Sequence, residues 1–370
     1  MTAPIAPAFA RRLTATPLTV QERSSRMQQL GFGQVFTEHM VTARYDGDRG
    51  WHDLAVEPYA PISLDPATSV LHYGQAIFEG LKVYAQPDGS LATFRADANA
   101  ARFARSAARL AMPALPAEVF LGAVRQLVDV DRDWVPTRGE ESLYLRPFMI
   151  ATDPFLGVRP SSTYLFLLIA SPVGAYFPRG VQPVSVWLST EYVRAAPGGT
   201  GEAKCAGNYA ASLVAQAQAA EQGCDQVVWL DALERRWVEE MGGMNLYFVE
   251  RDGEETRLVT PELTGTLLAG VTRDTILALG SDLGLKTEER RISTEEWEEG
   301  ARSGRIAETF ACGTAAVVTP VGQVKHAGGE FTVADGGSGP VTLRLREALL
   351  DLQHGRVPDP HGWRTTVALP

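Results

Sequence analysis

The stretch VRAAPGGTGEAKCAGNY, residues 193–209, is the part of the chain from which the rest is best read. A loop with little side-chain bulk, residues 197–201, runs toward Lys204, and a helix is predicted to begin at Asn208. The chain has 34 basic residues, yet only Lys82, Lys204, Lys286 and Lys325 are lysine. One of those four therefore stands beside a flexible glycine loop. Lysine is usually a solvated surface residue. Here Cys205, Ala206, Gly207, Asn208 and Tyr209 are small or packing-type neighbours, not a charged surface run. A buried lysine has a depressed pKa and can serve as an amine nucleophile. Composition leaves both readings open.

Several known motifs are excluded. Residues 198–204 are glycine-rich and end in lysine, as a phosphate-binding P-loop does. That motif needs a glycine where Ala203 stands and a hydroxyl where Cys205 stands. No H-E-x-x-H or Cys/His cluster supports a metal site. No G-x-G-x-x-G follows a strand, and no G-x-S-x-G nucleophile elbow is present.

Working outward, residues 35–54 are strand-like with a turn at 46–48, and residues 98–111 and 115–130 read as helices. Residues 143–151 and 164–173 are apolar strands. The segment 177–180 (FPRG) reads as a linker between domains. Beyond it come a strand at 181–188, a helix at 208–222 stopped by Gly223, a strand at 226–230 and a strand–turn–strand at 237–250. A helix at 272–283, an apolar run at 306–321 and a helix at 341–354 complete the chain. Strands and helices mix without regular alternation, so the fold class is α+β rather than a doubly wound sheet.

At about 150 residues per domain, 370 residues suggest two domains. The expected division is a tail and lead-in segment at 1–31, a small domain at 32–177, a hinge at 178–180 and a large domain at 181–370. Residues 1–21 read as a disordered tail: a twin-arginine signal fails because no apolar core follows Arg11-Arg12, and an organellar transit peptide is the other reading. A net charge of −10 gives nucleic-acid binding no electrostatic support. The three cysteines are too few for a disulfide scaffold, and a reducing cytoplasm is the simplest compartment. The longest apolar stretch, 164–177, is broken by Ser171, Pro172 and Gly174, so no membrane span is expected.

Seven blocks occur in a telling order. LHYGQAIFEGLKVY (71–84), SLYLRPFMIATDPFLGV (142–158) and SPVGAYFP (171–178) precede the opening stretch. EEMGGMNLYF (239–248), LLAGVTRDTIL (267–277) and FACGTAAVVTPV (310–321) follow it. Together they resemble the branched-chain amino acid aminotransferases, in the fold-type IV group of pyridoxal-phosphate enzymes. The resemblance runs from about Phe32 to the C-terminus.

It implies the cofactor pyridoxal 5′-phosphate and no metal. Lys204 matches the lysine that binds the cofactor covalently and then shuttles a proton. Glu240 matches the carboxylate facing the pyridine nitrogen, and Tyr209 the tyrosine at the cofactor's phenolic oxygen. Arg102 matches the phosphate-binding arginine, with backbone and hydroxyl donors from Val271, Thr272 and Thr314. Glu239, next to Glu240, should point the other way by strand alternation and face solvent. Phe36, Tyr73, Phe78, Tyr144, Tyr176 and Ala315 match substrate-pocket positions. Arg146 matches the arginine that holds the second carboxylate of glutamate. Tyr144 and Arg146 are two apart on a strand and should share a face, with Leu145 packed behind. Leu156 and Val158 match a loop that reaches into a neighbouring subunit's pocket, which implies a homodimer. The redox C-x-x-C that some members carry is replaced here by Ala316 and Thr319. Gly243 stands where animal members carry threonine.

The implied activity is reversible, ping-pong transamination of L-leucine, L-isoleucine and L-valine with 2-oxoglutarate, giving 2-oxo acids and L-glutamate. The partners are these small molecules, not nucleic acid or a membrane. D-amino acid aminotransferases and aminodeoxychorismate lyases share the fold type but match the 142–158 and 171–178 blocks far less well. A non-catalytic metabolite-binding protein is the reading from a different class, and a nucleophilic lysine gives it no support.

Overall fold

The computed structural model describes residues 7–175, 181–253 and 255–369. The chain divides into two compact units, Met1–Ala175 with Ala203–Ala206 and Leu352–Pro370, and Tyr176–Glu202 with Gly207–Asp351. The expected large domain at 181–370 therefore differs in two places, and packing explains both. Ala203 and Cys205 are buried in the apolar core of the first unit. The C-terminal strand Arg364–Ala368 pairs with a strand of that unit. The expected hinge at 178–180 lies outside the described residues.

The first unit holds β1 (Ala10–Arg11), α1 (Val20–Arg26), β2 (His39–Asp46), β3 (Gly50–Pro58), α2 (Ser69–Tyr73) and β4 (Ala76–Phe78). It continues with β5 (Leu81–Ala85), β6 (Leu91–Phe94), α3 (Ala96–Arg109), α4 (Ala117–Val130), β7 (Ser142–Ala151) and β8 (Tyr164–Val173). One sheet runs β1-β3-β2-β8-β7-β5-β6 to the C-terminal strand, with β4 paired to β7. Its centre is the ten-residue antiparallel pair β7–β8, buried along most of its length. Both faces are apolar, as covered sheets require. Phe103 of α3, Phe120 of α4 and Phe166 of β8 meet on one side, with centroids 5.6 and 5.8 Å from Phe103. Met40, Leu165 and Leu167 gather in a separate apolar cluster. Each such side chain contributes roughly 1.5–3 kcal/mol on burial.

The reading of residues 1–21 as a disordered tail is corrected from residue 7 onward. The backbone there finds partners instead of water. β1 pairs in parallel with β3. Arg11 binds Gln126 at 2.8 Å and Asp129 at 2.6 Å. The Thr14 N–H donates to His39 Nε2 at 3.1 Å, and α1 opens on a Thr19–Glu22 capping box.

The second unit holds β9 (Val184–Ser189), α5 (Ala206–Ala210), α6 (Leu213–Glu221), β10 (Gln226–Leu230), β11 (Val238–Met241), β12 (Met244–Asp252) and β13 (Glu255–Thr260). Then come α7 (Val271–Asp282), β14 (Lys286–Glu289), α8 (Thr294–Ser303), β15 (Ile306–Gly313), β16 (Val317–His326), β17 (Gly329–Thr332) and α9 (Pro340–Gln353). The expected single helix at 208–222 is two helices, and the apolar run at 306–321 folds back on itself as β15 and β16. Strand pairing runs β11-β10-β9-β16-β15-β12, and β12 pairs back to β11. Six strands thus close into a ring, which removes their free edges. Val186, Val228, Leu246, Phe248 and Val324 are completely buried in the unit's core.

Closure depends on the hairpin between β11 and β12, where Met241 pairs with Met244. Gly242 turns there at φ 57°, and a Cβ would press on the Gln226 side-chain oxygen. Gly242→Ala should therefore destabilise the protein by about 1–2 kcal/mol, the cost of a left-handed non-glycine residue. Urea unfolding measures this, and an unchanged midpoint would show that the hairpin carries no such strain.

Candidate active site

The candidate residues fall into two sets, one in each unit. In the first, the backbone of Lys204 is fixed on both sides. Its N–H donates to Ser106 Oγ at 2.9 Å, and its carbonyl accepts the Phe78 N–H at 3.0 Å. Cys205 extends this contact as a bridge to Ile77. The lysine side chain is half-buried, with Nζ 5.0 Å from the Phe78 ring centre. The Arg146 guanidinium lies 4.8 Å from the same ring, so Phe78 faces two cations. Arg146 Nη2 donates to the Tyr144 hydroxyl at 2.9 Å, and Leu145 between them packs in the core. Strand alternation thus puts Tyr144 and Arg146 on one face, as the sequence predicts. Phe32 sets its ring edge-on to Tyr144 at 4.9 Å. A Cβ at residue 80 would overlap the Tyr144 hydroxyl, so glycine there leaves room for it.

Arg102 is buried on α3 and grips Glu79, with Nε to Oε1 at 2.7 Å and Nη2 to Oε2 at 2.9 Å. Asn99 Nδ2 adds a third bond to Glu79 Oε2 at 2.7 Å. Burial pushes the Glu79 carboxyl up, but Arg102, these hydrogen bonds and Lys204 together hold it below the usual carboxylate range. Glu79 is therefore an ionised carboxylate with no solvent exposure.

Tyr73 and the 153–159 loop form a separate construction. The Tyr73 hydroxyl donates to the Leu156 carbonyl. Asp153 accepts from the Ser162 N–H at 3.0 Å and from Arg159 at 3.1 Å, and Arg159 covers the Phe155 ring. This frame leaves Leu156 68% and Val158 88% exposed, although both are apolar. Phe36 stacks on Tyr59 at 5.2 Å. Tyr176 lies outside the described residues.

The second set is in the other unit. Glu240 of β11 is buried, pairs with Arg194 Nε at 3.2 Å and accepts the Leu268 N–H. Tyr209 is half-buried, and its ring would be 3.3 Å from a Cβ on Gly243. A bare glycine thus lets the phenol lie against the hairpin. Val271 and Thr272 form the first turn of α7, whose N-cap is Gly270. The first N–H groups of a helix lack partners within it and attract anions. Thr314 and Ala315 sit in the turn between β15 and β16. Burial pushes the Cys312 thiol beside that turn to about 12, which leaves it unreactive.

One expectation is overturned. Glu239 does not face solvent but is only 5% exposed, because β11 is covered on both faces. Glu79 and Arg194 were not singled out from sequence. Both are charged residues made necessary by another buried charge, and that dependence leaves no local motif. In the second unit a buried carboxylate, a helix N-terminus and a phenol over a bare glycine suit a phosphorylated pyridine; in the first, a lysine stands beside an aromatic ring. Among the described residues, no helix is long and apolar enough to cross a membrane.

Comparison with known proteins sets these residues in a family. The sequence model described as Amino-transferase class IV matches residues 76–324. A branched-chain-amino-acid aminotransferase of Mycolicibacterium smegmatis is 61% identical over 96% of this chain and 97% of its own. Branched-chain-amino-acid transaminase 1 of Bacillus subtilis is 48% identical over 91% and 94%. A solved branched-chain amino acid aminotransferase from T.th., with pyridoxamine 5′-phosphate, superposes with a TM-score of 0.73 at 30% identity, covering 90% of this chain and 100% of its own. Class IV aminotransferases use pyridoxal phosphate, and that is the cofactor of this enzyme. On the family match and on identity across nearly the whole length, the chain belongs to the class IV aminotransferases, within the branched-chain-amino-acid aminotransferase family.

Proposed function

We propose that this chain transfers the amino group of L-leucine, L-isoleucine or L-valine to 2-oxoglutarate, and the reverse, in a ping-pong cycle. The observation that carries this reading is the 61% identity over 96% of the chain to an enzyme named for that reaction. Bound pyridoxal phosphate supplies an electron sink for charge developing at the substrate α-carbon. Lys204 holds the cofactor, and its freed amine carries the proton on and off that carbon. The Ser106 and Phe78 contacts support this role by fixing the backbone from which the amine swings. Glu240 holds a proton at the ring nitrogen, and Arg194 is its ion-pair partner at 3.2 Å. Tyr209 donates to the phenolic oxygen. Arg102, Val271, Thr272 and Thr314 receive the phosphate, with Glu79 fixing the plane of the Arg102 guanidinium.

Phe36, Tyr73, Phe78, Tyr176 and Ala315 give the pocket its apolar lining. Tyr144 and Arg146 take the second carboxylate of glutamate, and their mutual hydrogen bond supports that pairing. The enzyme works in the cytoplasm as a homodimer. The exposed, well-braced Leu156 and Val158 supply the surface that a second copy would cover.

Lys204→Ala should lower kcat at least about a thousandfold while leaving the far-ultraviolet spectrum unchanged, as loss of an acid–base and nucleophilic group requires. Transamination at the normal rate by that variant would sink the assignment. Glu240→Gln should reduce kcat on the order of a hundredfold and spare cofactor binding. A rate equal to the parent's would show that the carboxylate does not govern ring protonation. For the dimer, light scattering should give twice the chain mass for the wild type. Leu156→Asp with Val158→Asp should lower that mass or raise KM for leucine severalfold. A wild type that scatters as a single chain at full activity removes the proposal.

A further inference from the structure

The segment between β13 and α7 is gripped at two residues. The Thr266 hydroxyl donates to Glu239 Oε1, and the Thr266 carbonyl accepts from Arg194 Nη2. The Leu268 N–H donates to Glu240 Oε1, and the Leu268 carbonyl accepts from Asn245 Nδ2 at 3.0 Å. Each residue is thus held as donor and as acceptor, and the Thr266 hydroxyl also meets the Thr264 hydroxyl at 2.8 Å. All four gripping side chains are buried, at 5% for Glu239, 9% for Arg194, 2% for Glu240 and 6% for Asn245. Three of them come from one hairpin, in which Glu240 and Asn245 are paired neighbours across β11 and β12. Asn245 Oδ1 also occupies the space a Cβ on Gly270 would need, so the clasp continues to the N-cap of α7.

We propose that Glu239 is a positioning residue: with Arg194, Glu240 and Asn245 it clasps Thr266 and Leu268, and so sets the Gly270–Thr272 turn to receive the cofactor phosphate. The inference rests on the reading of that turn as a phosphate donor. Glu239 does its part as a neutral acid. Two buried carboxylates are adjacent, and the ion pair of Arg194 is with Glu240, Nε to Oε2 at 3.2 Å. Glu239 Oε2 has no hydrogen-bond partner among the described residues, whereas an ionised oxygen would need one. Burial pushes the Glu239 carboxyl up, and Glu240 and Asp231 add to this. The Thr266 hydroxyl and Arg194 oppose it without reversing it. A neutral carboxyl still accepts the Thr266 hydroxyl through Oε1, and so would the amide oxygen of glutamine.

The test removes the cofactor from purified holoenzyme and titrates the protein with pyridoxal phosphate and with pyridoxal. Glu239→Leu and Thr266→Val should each weaken pyridoxal phosphate binding about tenfold, as loss of one buried hydrogen bond predicts, and leave pyridoxal affinity within about twofold. Glu239→Gln should restore pyridoxal phosphate affinity to within about twofold of wild type. Glu239→Leu and Thr266→Val with unchanged affinity would overturn the clasp. Glu239→Gln as weak as Glu239→Leu would overturn the neutral acid. Should Glu239→Leu not fold, Thr266→Val and Glu239→Gln carry the same comparison. A wild type that binds pyridoxal as tightly as pyridoxal phosphate would instead remove the phosphate reading itself.

Stability gives a second readout. With its pKa raised in the folded state, Glu239 keeps its proton on folding while the unfolded chain releases it above the ordinary carboxylate range. Wild-type stability falls as pH rises through that window. The Tm of Glu239→Gln minus that of wild type should therefore grow as pH rises above the ordinary carboxylate range. A difference that stays flat overturns the neutral acid.

Discussion

The second unit depends on one short strand paired on both edges. β11 has four residues, bonded to β10 on one side and β12 on the other, and it closes the ring of six. A strand in that position has no edge in water, and its residues are all buried. Two of the four are glutamates. Their desolvation costs several kcal/mol each unless each is paired or neutral. The ring therefore imposes a demand for donors, and Arg194, the Thr266 hydroxyl and the Leu268 N–H meet it. Three loops are tied to the hairpin as a result, since Arg194 also donates to the Gly201 carbonyl at 3.2 Å. The loop ahead of the lysine and the loop ahead of α7 thus share one cation.

The first unit meets the same problem with a different answer. Glu79 is as deeply buried as Glu240, yet it has a bidentate guanidinium and an amide to itself. Its charge is fully matched, so it stays ionised. In the second unit Arg194 pairs with Glu240, and burial pushes the neighbouring Glu239 carboxyl up. The ratio of buried cations to anions, more than depth, separates the two cases.

Much of this was legible in the sequence, for definite reasons. β7 and β8 stand out because long, mostly apolar runs fit no solvent-exposed element. α3 and α4 stand out because apolar residues recur at helical spacing. Lys204 stands out because lysine is rare here and its surroundings are not a charged surface. What could not be read is whatever depends on partners distant in the chain. Glu239 looked exposed because strand alternation assumes one wet face, and the segment carrying Thr266 covers it. Residues 7–21 looked disordered because their partners lie at His39, Gln126 and Asp129. Residues 208–222 looked like one helix because Ala211 and Ser212, where it breaks, are ordinary helix residues by composition. Of the candidate site, the residues implied by resemblance could be named one by one. The partners that hold them, Glu79 and Arg194, could not, since each answers a charge elsewhere in the chain.

The first unit draws its residues from both ends of the sequence and from four in the middle. Its outermost strand, Arg364–Ala368, pairs with β6, some 270 residues earlier. During synthesis, β6 must wait with an open edge until the whole second unit has left the ribosome. Ala203 and Cys205, which fill part of its core, also arrive late. The nascent first unit is thus a sheet with a free edge and an incomplete core, the state most open to mispairing with another chain. Loss of the segment from Arg364 onward would leave that edge open permanently, in a unit whose own β-strands are otherwise intact.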